Sequence, residues 1–179
     1  MKFLRLFKPK WQHANRTVRR NAVKHIYDPP TLRRITCESD DDCIKLIAAR
    51  RLNDHSTICD LAKNALEEAV RFEAALIVKD EICLTDMVLN EWIISRGLQA
   101  IECISSELLL RKIAQSANQD AIRLAAAQKL GHPGLLKSIA RSSNLADIHW
   151  SVAKQLNDPE LMAEVAQLKP FSSKLAPLR

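Results

Sequence analysis

Residues 68–88 read EAVRFEAALIVKDEICLTDMV, and the fold follows from their spacing. Val70, Ala74 and Val78 stand four residues apart, which places them on one face of an α-helix. After Asp80 a second apolar set, Leu84, Met87 and Val88, has the spacing of another, shorter helix. The same double pattern recurs along the chain with a 26-residue period. The leading column reads Val18, Ile44, Val70, Ile122 and Ile148. The middle column is small: Ala22, Ala48, Ala74, Ala100, Ala126, then Val152. The closing column is Ile26, Leu52, Val78, Ile104, Leu130 and Leu156. Alanine favours helix and lets a neighbouring helix approach closely. Second helices carry Leu32, Ile58, Leu84, Leu110, Leu136 and Met162, with Ile35, Leu61, Met87, Ile113, Ile139 and Val165 three residues on.

Fixed-period similarity of this length is the signature of a solenoid. The repeats span approximately 11–36, 37–62, 63–88, 89–114, 115–140 and 141–166. Residues 1–10 and 167–179 flank them as caps or tails, and 1–179 reads as a single repeat domain. Each unit is an α-hairpin, expected as roughly twelve residues then eight. Neither helix holds its apolar stripe in water alone, so stacked neighbours must bury a shared core. Asp28, Asp54, Asp80 and Asp158 share the position between the helices. Their carboxylates suit the free amides at the start of the second helix, and Pro29 and Pro159 fit just inside that start. Ser106 and His132 occupy the place in the other units. Regular spacing sets these residues one repeat apart and argues against convergence on a metal or an acid-base site.

The fourth unit departs from the pattern. Ile94 stands where the others carry Arg16, Asp42, Glu68 and Asp120, and Arg96 and Gly97 fall in the columns of Val18 and Arg19. Trp92, Ile93 and Ile94 make an apolar helix start. This predicts either a local shift of helix phase with Trp92 in the core, or an exposed apolar patch for a partner. On the other first helices Arg19, Lys45, Arg71, Arg123 and His149 recur three positions after Asp42, Glu68 and Asp120, a pattern expected to form a ladder of charges between units.

The net charge of +6 is unevenly distributed. Residues 1–35 hold ten Lys or Arg and one Asp, whereas residues 36–120 hold nine basic and sixteen acidic residues. A basic head of this kind steers acidic partners, and Arg16, Arg20, Lys24, Arg33 and Arg34 are its candidate contacts, with Trp92 as an apolar one. A different reading takes Arg33, Arg34, Lys63, Arg111, Lys112, Lys137 and Arg141 on the second helices as a track for a phosphate backbone. Asp60, Asp86 and Glu164 interrupt that track, and aromatic residues for stacking bases are nearly missing.

Five scattered cysteines without a Cys-x-x-Cys pair read as reduced thiols of a cytosolic protein. The five histidines show no metal-ligand spacing with them, so no cofactor or metal is expected. The opening MKFLRLFKPK is too short for the apolar core of a signal peptide. Phe3, Leu4, Leu6 and Phe7 are expected to cover the open end of the first hairpin, with weak membrane-surface contact of residues 1–10 as the lesser reading. No segment has the length to span a bilayer. Nucleophile elbow, phosphate loop and cofactor fingerprint are all missing from the sequence.

The pattern acid-x-Val-Arg-x-x-Ala-x-x-x-Leu-x-Asp resembles short bacterial HEAT-like repeats. It is carried by Val18-Arg19, Ala22 and Asp28, by Ala48, Leu52 and Asp54, by Val70-Arg71, Ala74 and Asp80, and by Ile122-Arg123 and Ala126. The opening LFKPKW followed by such a repeat is similar to the amino-terminal repeat region of large bacterial proteins carrying a domain called DUF349. In that family a coiled-coil-rich remainder follows, so this chain is expected to be a fragment or a stand-alone relative. The resemblance implies an all-α fold, a right-handed α-α superhelix (HEAT-like solenoid) of about six 26-residue hairpins. It also implies a cytoplasmic, non-catalytic scaffold that binds protein. Some HEAT-like proteins are DNA glycosylases and others act on bilins. The first activity needs an acid and aromatic side chains inside a strongly positive groove, and the middle units here are net acidic. No residue beyond the fold supports the second.

Overall fold

The computed structural model describes residues 8–90 and 93–167. Among these residues there are twelve α-helices and no strand. First helices are α1 (Arg16–Val23), α3 (Asp42–Leu52), α5 (Glu68–Val78), α7 (Ile94–Cys103), α9 (Asp120–Leu130) and α11 (Ala146–Leu156). Second helices are α2 (Pro29–Glu38), α4 (His55–Asn64), α6 (Glu81–Leu89), α8 (Glu107–Ser116), α10 (Pro133–Ser142) and α12 (Pro159–Gln167). The chain is an α-helical repeat protein built of hairpins. Its contacts divide it into two compact units, Met1–Leu84 and Thr85–Arg179, with the division inside α6.

The two helices of a hairpin are nearly equal in length, unlike the twelve-then-eight pattern expected, because the turn between them is short. Asn53, Lys79, Gly131 and Asn157 occupy the same repeat position, and all adopt the left-handed conformation, with φ of 53°, 54°, 62° and 49°. The amide one residue later reaches back to the first helix. Asp54 N donates to Ala49 O at 2.9 Å, Asp80 N to Ala75 O at 3.1 Å, His132 N to Ala127 O at 3.4 Å and Asp158 N to Ala153 O at 3.0 Å. This is the six-to-one bond of a Schellman closure.

The same residue opens the second helix. Asp28 accepts from Thr31 N at 2.9 Å, Asp54 from Thr57 N at 3.1 Å and Asp80 from Cys83 N at 3.0 Å. Asp158 accepts from Glu160 N and Leu161 N. His132 fills the role with Nδ1, which accepts from Leu135 N at 3.2 Å. The aspartates are helix caps. Hydrogen bonds from the Thr31 side chain and amide hold Asp28 below the ordinary carboxylate range, and those of Thr57 do the same for Asp54.

First helices bury two stripes, of which the sequence reading named one. The second comprises Val23, Ala49, Ala75, Ile101, Ala127 and Ala153, all essentially without exposure. Successive residues turn by about 100°, so the neighbouring alanines 48 and 49 widen the buried face. In the first unit Trp11, Val23, Leu32, Ile35, Ile44 and Ala48 form one cluster, with Ile26, Ile47 and Leu52 packed against it. Val18 differs from the expected column, since it is 36% exposed on the first helix of the series.

Helix α7 begins at the same repeat position as its counterparts. Only its first turn changes face: Gly97 is buried and Arg96 is partly exposed. A Cβ on Gly97 would lie 2.9 Å from Ile122 Cγ1 and closer still to Cδ1. Glycine therefore marks a close approach of α7 to α9. No helix among the described residues is long and apolar enough to cross a membrane. Trp92, the apolar residues of the head and the tail after Gln167 lie outside the described residues.

Candidate partner-binding surfaces

Half of the described basic residues of the head, Arg16, Arg19, Arg20 and Arg34, are compensated within the first unit. Arg19 donates to Asp41 Oδ2 through Nη2 at 2.7 Å and Nε at 3.1 Å, and its Nη1 donates to the carbonyls of His13 and Ala14. Arg16 pairs with Glu67 and lies 3.7 Å from Asp41. Arg20 pairs with Glu67 at 3.5 Å and donates to Cys43 Sγ at 2.7 Å. These partners come from the N-caps and first turns of α3 and α5, so a carboxylate of one hairpin neutralises a guanidinium of another. Arg34 is bound to Glu38 one turn along the same helix at 3.2 Å. Lys24 and Arg33 are exposed, and neither has an ion pair among the described residues.

Asp41, Cys43 and Glu67 bring three potential ligand atoms within 4.8 Å of one another. The donor set does not fit a metal, because Arg16, Arg19 and Arg20 already stand on these groups. A divalent cation would meet three positive charges at close range. Burial pushes the Cys43 thiol up, against the pull of Arg20 and Arg16, so the soft ligand is held as a thiol. The groove alongside, of about 650 Å³, is lined by Trp11, Arg16, Arg19, Glu38, Asp40 to Asp42 and Glu67. Its floor is this same salt-bridge lattice.

The expected ladder of first-helix charges takes another form. Arg71 donates to the carbonyls of Ala65 at 2.6 Å and Leu66 at 3.2 Å. His149 Nε2 bonds Ser143 O at 2.8 Å. With Arg19 on His13, the basic side chain of α1, α5 and α11 ties the helix to the connector six residues before it, whereas Lys45 and Arg123 meet Asp42 and Asp120 on their own helices. The carboxylates do reach the next hairpin: Asp42 accepts from Leu66 N at 2.8 Å and Asp120 from the Ser143 hydroxyl at 2.6 Å. Burial pushes Asp120 up, but the bonds from Ser143 and Arg123 outweigh it and hold the group below its ordinary value. Successive hairpins are thus joined by carboxylates at the helix starts that bond the next connector and by guanidinium links such as Arg19–Asp41.

On the second helices the basic residues alternate with acids. Lys112 meets Asp86 at 3.3 Å, Lys137 meets Asp158 at 2.5 Å and Arg141 meets Glu164 at 3.0 Å. Within the second unit only Arg111 of the proposed track is without an ion pair among the described residues. In the first unit Arg33 and Lys63 are exposed and have no ion pair among the described residues, although the charge of Lys63 helps to hold Asp80 below its ordinary value. A phosphate backbone following these helices would meet Asp86, Asp158 and Glu164 beside the cations.

The surface that the sequence reading largely missed is apolar. Repeat positions Leu46, Phe72, Leu98, Leu124 and Trp150 form a column on the first helices. In the first unit Leu46 and Phe72 are 2% and 6% exposed. In the second, Leu98 is 39% and Trp150 49% exposed, and Leu124 between them is partly open. Ile94, one turn before Leu98, is 42% exposed, and Leu145 stands open at the start of α11. Helices α7 and α11 both pack against α9, so these side chains share one face. The signal was present in the column's own periodicity, but Arg20 at its head hid it.

No protein-family model, no curated protein and no solved structure matches the chain.

Proposed function

We propose that this chain is a non-catalytic, cytoplasmic protein-interaction scaffold, a HEAT-like repeat protein of the bacterial type that its opening sequence resembles. The observation that carries the reading is the apolar face of α7, α9 and α11. An exposed patch of this composition is characteristic of a surface that meets another protein. The pairing of Lys112, Lys137 and Arg141 with neighbouring acids weighs against the alternative, a module that binds a phosphate backbone, since the net positive charge needed for counterion release is largely cancelled. Arg33, Lys63 and Arg111 are what support that alternative.

Fluorescent duplex DNA, single-stranded DNA and RNA titrated with the full chain, at low and near-physiological salt, separate the two. The scaffold reading expects weak binding that vanishes as salt rises. Micromolar binding that persists near physiological salt and disappears when Arg33, Lys63 and Arg111 are reversed in charge would overturn it. On the protein side, a partner retained at moderate salt must be lost on Trp150→Lys.

A further inference from the structure

We propose that the first-helix face of the second unit is a self-association surface, on which two copies of this chain meet about a two-fold axis. The proposal rests on the protein-interaction reading and names its partner. Three observations carry it.

The first is that the repeat covers this column elsewhere. At the same positions of the first unit, Leu46 and Phe72 are buried, and Arg50 and Glu73 on the same two helices pair at 2.8 Å. In the second unit, Ile94 and Ala146 stand in the places of the charged Asp42 and Glu68, and Leu98 and Trp150 are left open.

The second is charge. An excess of one sign on a self-complementary face would meet the same excess across the axis. Among the described residues this face carries charges of both signs. Asp120 is paired with Arg123, Gln128 bonds Gln155 at 2.9 Å between α9 and α11, Glu102 stands exposed four residues after Leu98 on α7, and the rim of α11 offers one Asp147 and one Lys154. On antiparallel copies Glu102 of one faces the α11 end that carries Lys154 of the other, so the face does not repel its own copy.

The third is size and layout. The open parts of Ile94, Leu98, Leu124, Leu145 and Trp150 amount to on the order of 400 Å² of apolar surface, close to the apolar share of one side of a standard interface. Helix α9 is central. An axis over it sets Leu124 against its own copy and brings Trp150 of each copy over Ile94 and Leu98 of the other.

Sedimentation of the full chain from about 1 to 100 µM tests this. A concentration-dependent monomer–dimer equilibrium is expected. Trp150→Lys and Leu98→Lys should each raise the dissociation constant about thirtyfold or more, with circular dichroism melts showing that both variants fold. Leu66→Lys, at an exposed apolar residue of the first unit, should leave the dimer intact. A chain that stays monomeric over the whole range overturns the proposal, as does a dimer indifferent to both lysines. A monomer whose Trp150→Lys variant loses a different protein partner would leave the scaffold reading standing while this proposal falls. A dimer that binds DNA at physiological salt through Arg33, Lys63 and Arg111 would do the reverse.

Discussion

Replacement of Gly97 by alanine sets two known effects against each other. Alanine favours a helix over glycine by about 1 kcal/mol, so an open site would gain stability. Gly97 is not open: a Cβ would come within 2.9 Å of Ile122 Cγ1 and nearer to Cδ1. Ile122 is fully buried and cannot swing into solvent, so α7 and α9 must part or the isoleucine must leave its rotamer. Overpacking of this kind costs about 1–3 kcal/mol. The net expectation is a loss of about 1 kcal/mol, read as a fall in Tm of about 2–4 °C for a chain of this size. Ile122→Val removes Cδ1 and costs about 1 kcal/mol alone. Combined with Gly97→Ala it should cost less than the sum, with a coupling of about 0.5 kcal/mol or more. Thermal melts of the two single variants and the double variant complete the cycle. A Gly97→Ala protein that melts at or above the wild-type temperature, or strict additivity in the cycle, would refute the close approach as the reason for glycine.

Lys79→Gly should raise stability by about 0.5–1 kcal/mol in a denaturant titration, because a left-handed lysine carries a steric cost that glycine avoids; a loss would mean that the lysine side chain contributes more than its backbone costs. Arg71→Met should lower stability by about 1–3 kcal/mol through the carbonyls of Ala65 and Leu66 while leaving partner binding unchanged, and an unaltered Tm would count against the connector clamp. Asp28, Asp54, Asp80 and Asp158 are all held below the ordinary carboxylate value, so the stability they give is complete above the unfolded value of about 4 and is lost as pH falls through their folded values. Melts of wild type and Asp54→Asn at neutral pH and near pH 3 check this: asparagine caps nearly as well as aspartate, so any wild-type advantage should shrink on acidification, and a growing one would contradict the linkage.

The hairpins were legible because each local signal agreed with the period. Asp54 and Thr57, or Asp28 and Pro29, announce a helix start without reference to anything distant. The second buried stripe was harder to read. Ala49, Ala75, Ala127 and Ala153 are as common on helix surfaces as inside, and only neighbouring helices decide which. Charges were harder again. Arg16 and Arg20 read as a free basic face because their partners, Asp41 and Glu67, lie one and two repeats further along the chain. Lys112 and Asp86, a full repeat apart, hid each other in the same way. For Trp150 the sequence shows an aromatic residue in an apolar column. Its exposure depends on which side chains of the adjoining hairpins stand beside it, and sequence periodicity does not carry that information.

The turn within each hairpin bears on how the chain opens. Asp54 closes α3 with its amide and starts α4 with its carboxylate, and Asp80 and Asp158 do likewise for their hairpins. Fraying of the last turn of the first helix therefore releases the anchor of the second, and neither end can loosen independently. In these three hairpins the smallest opening is then the whole hairpin. In hydrogen exchange, the amide of Asp54, bonded to α3, and that of Thr57, in the first turn of α4, should lose protection together, with a single rate.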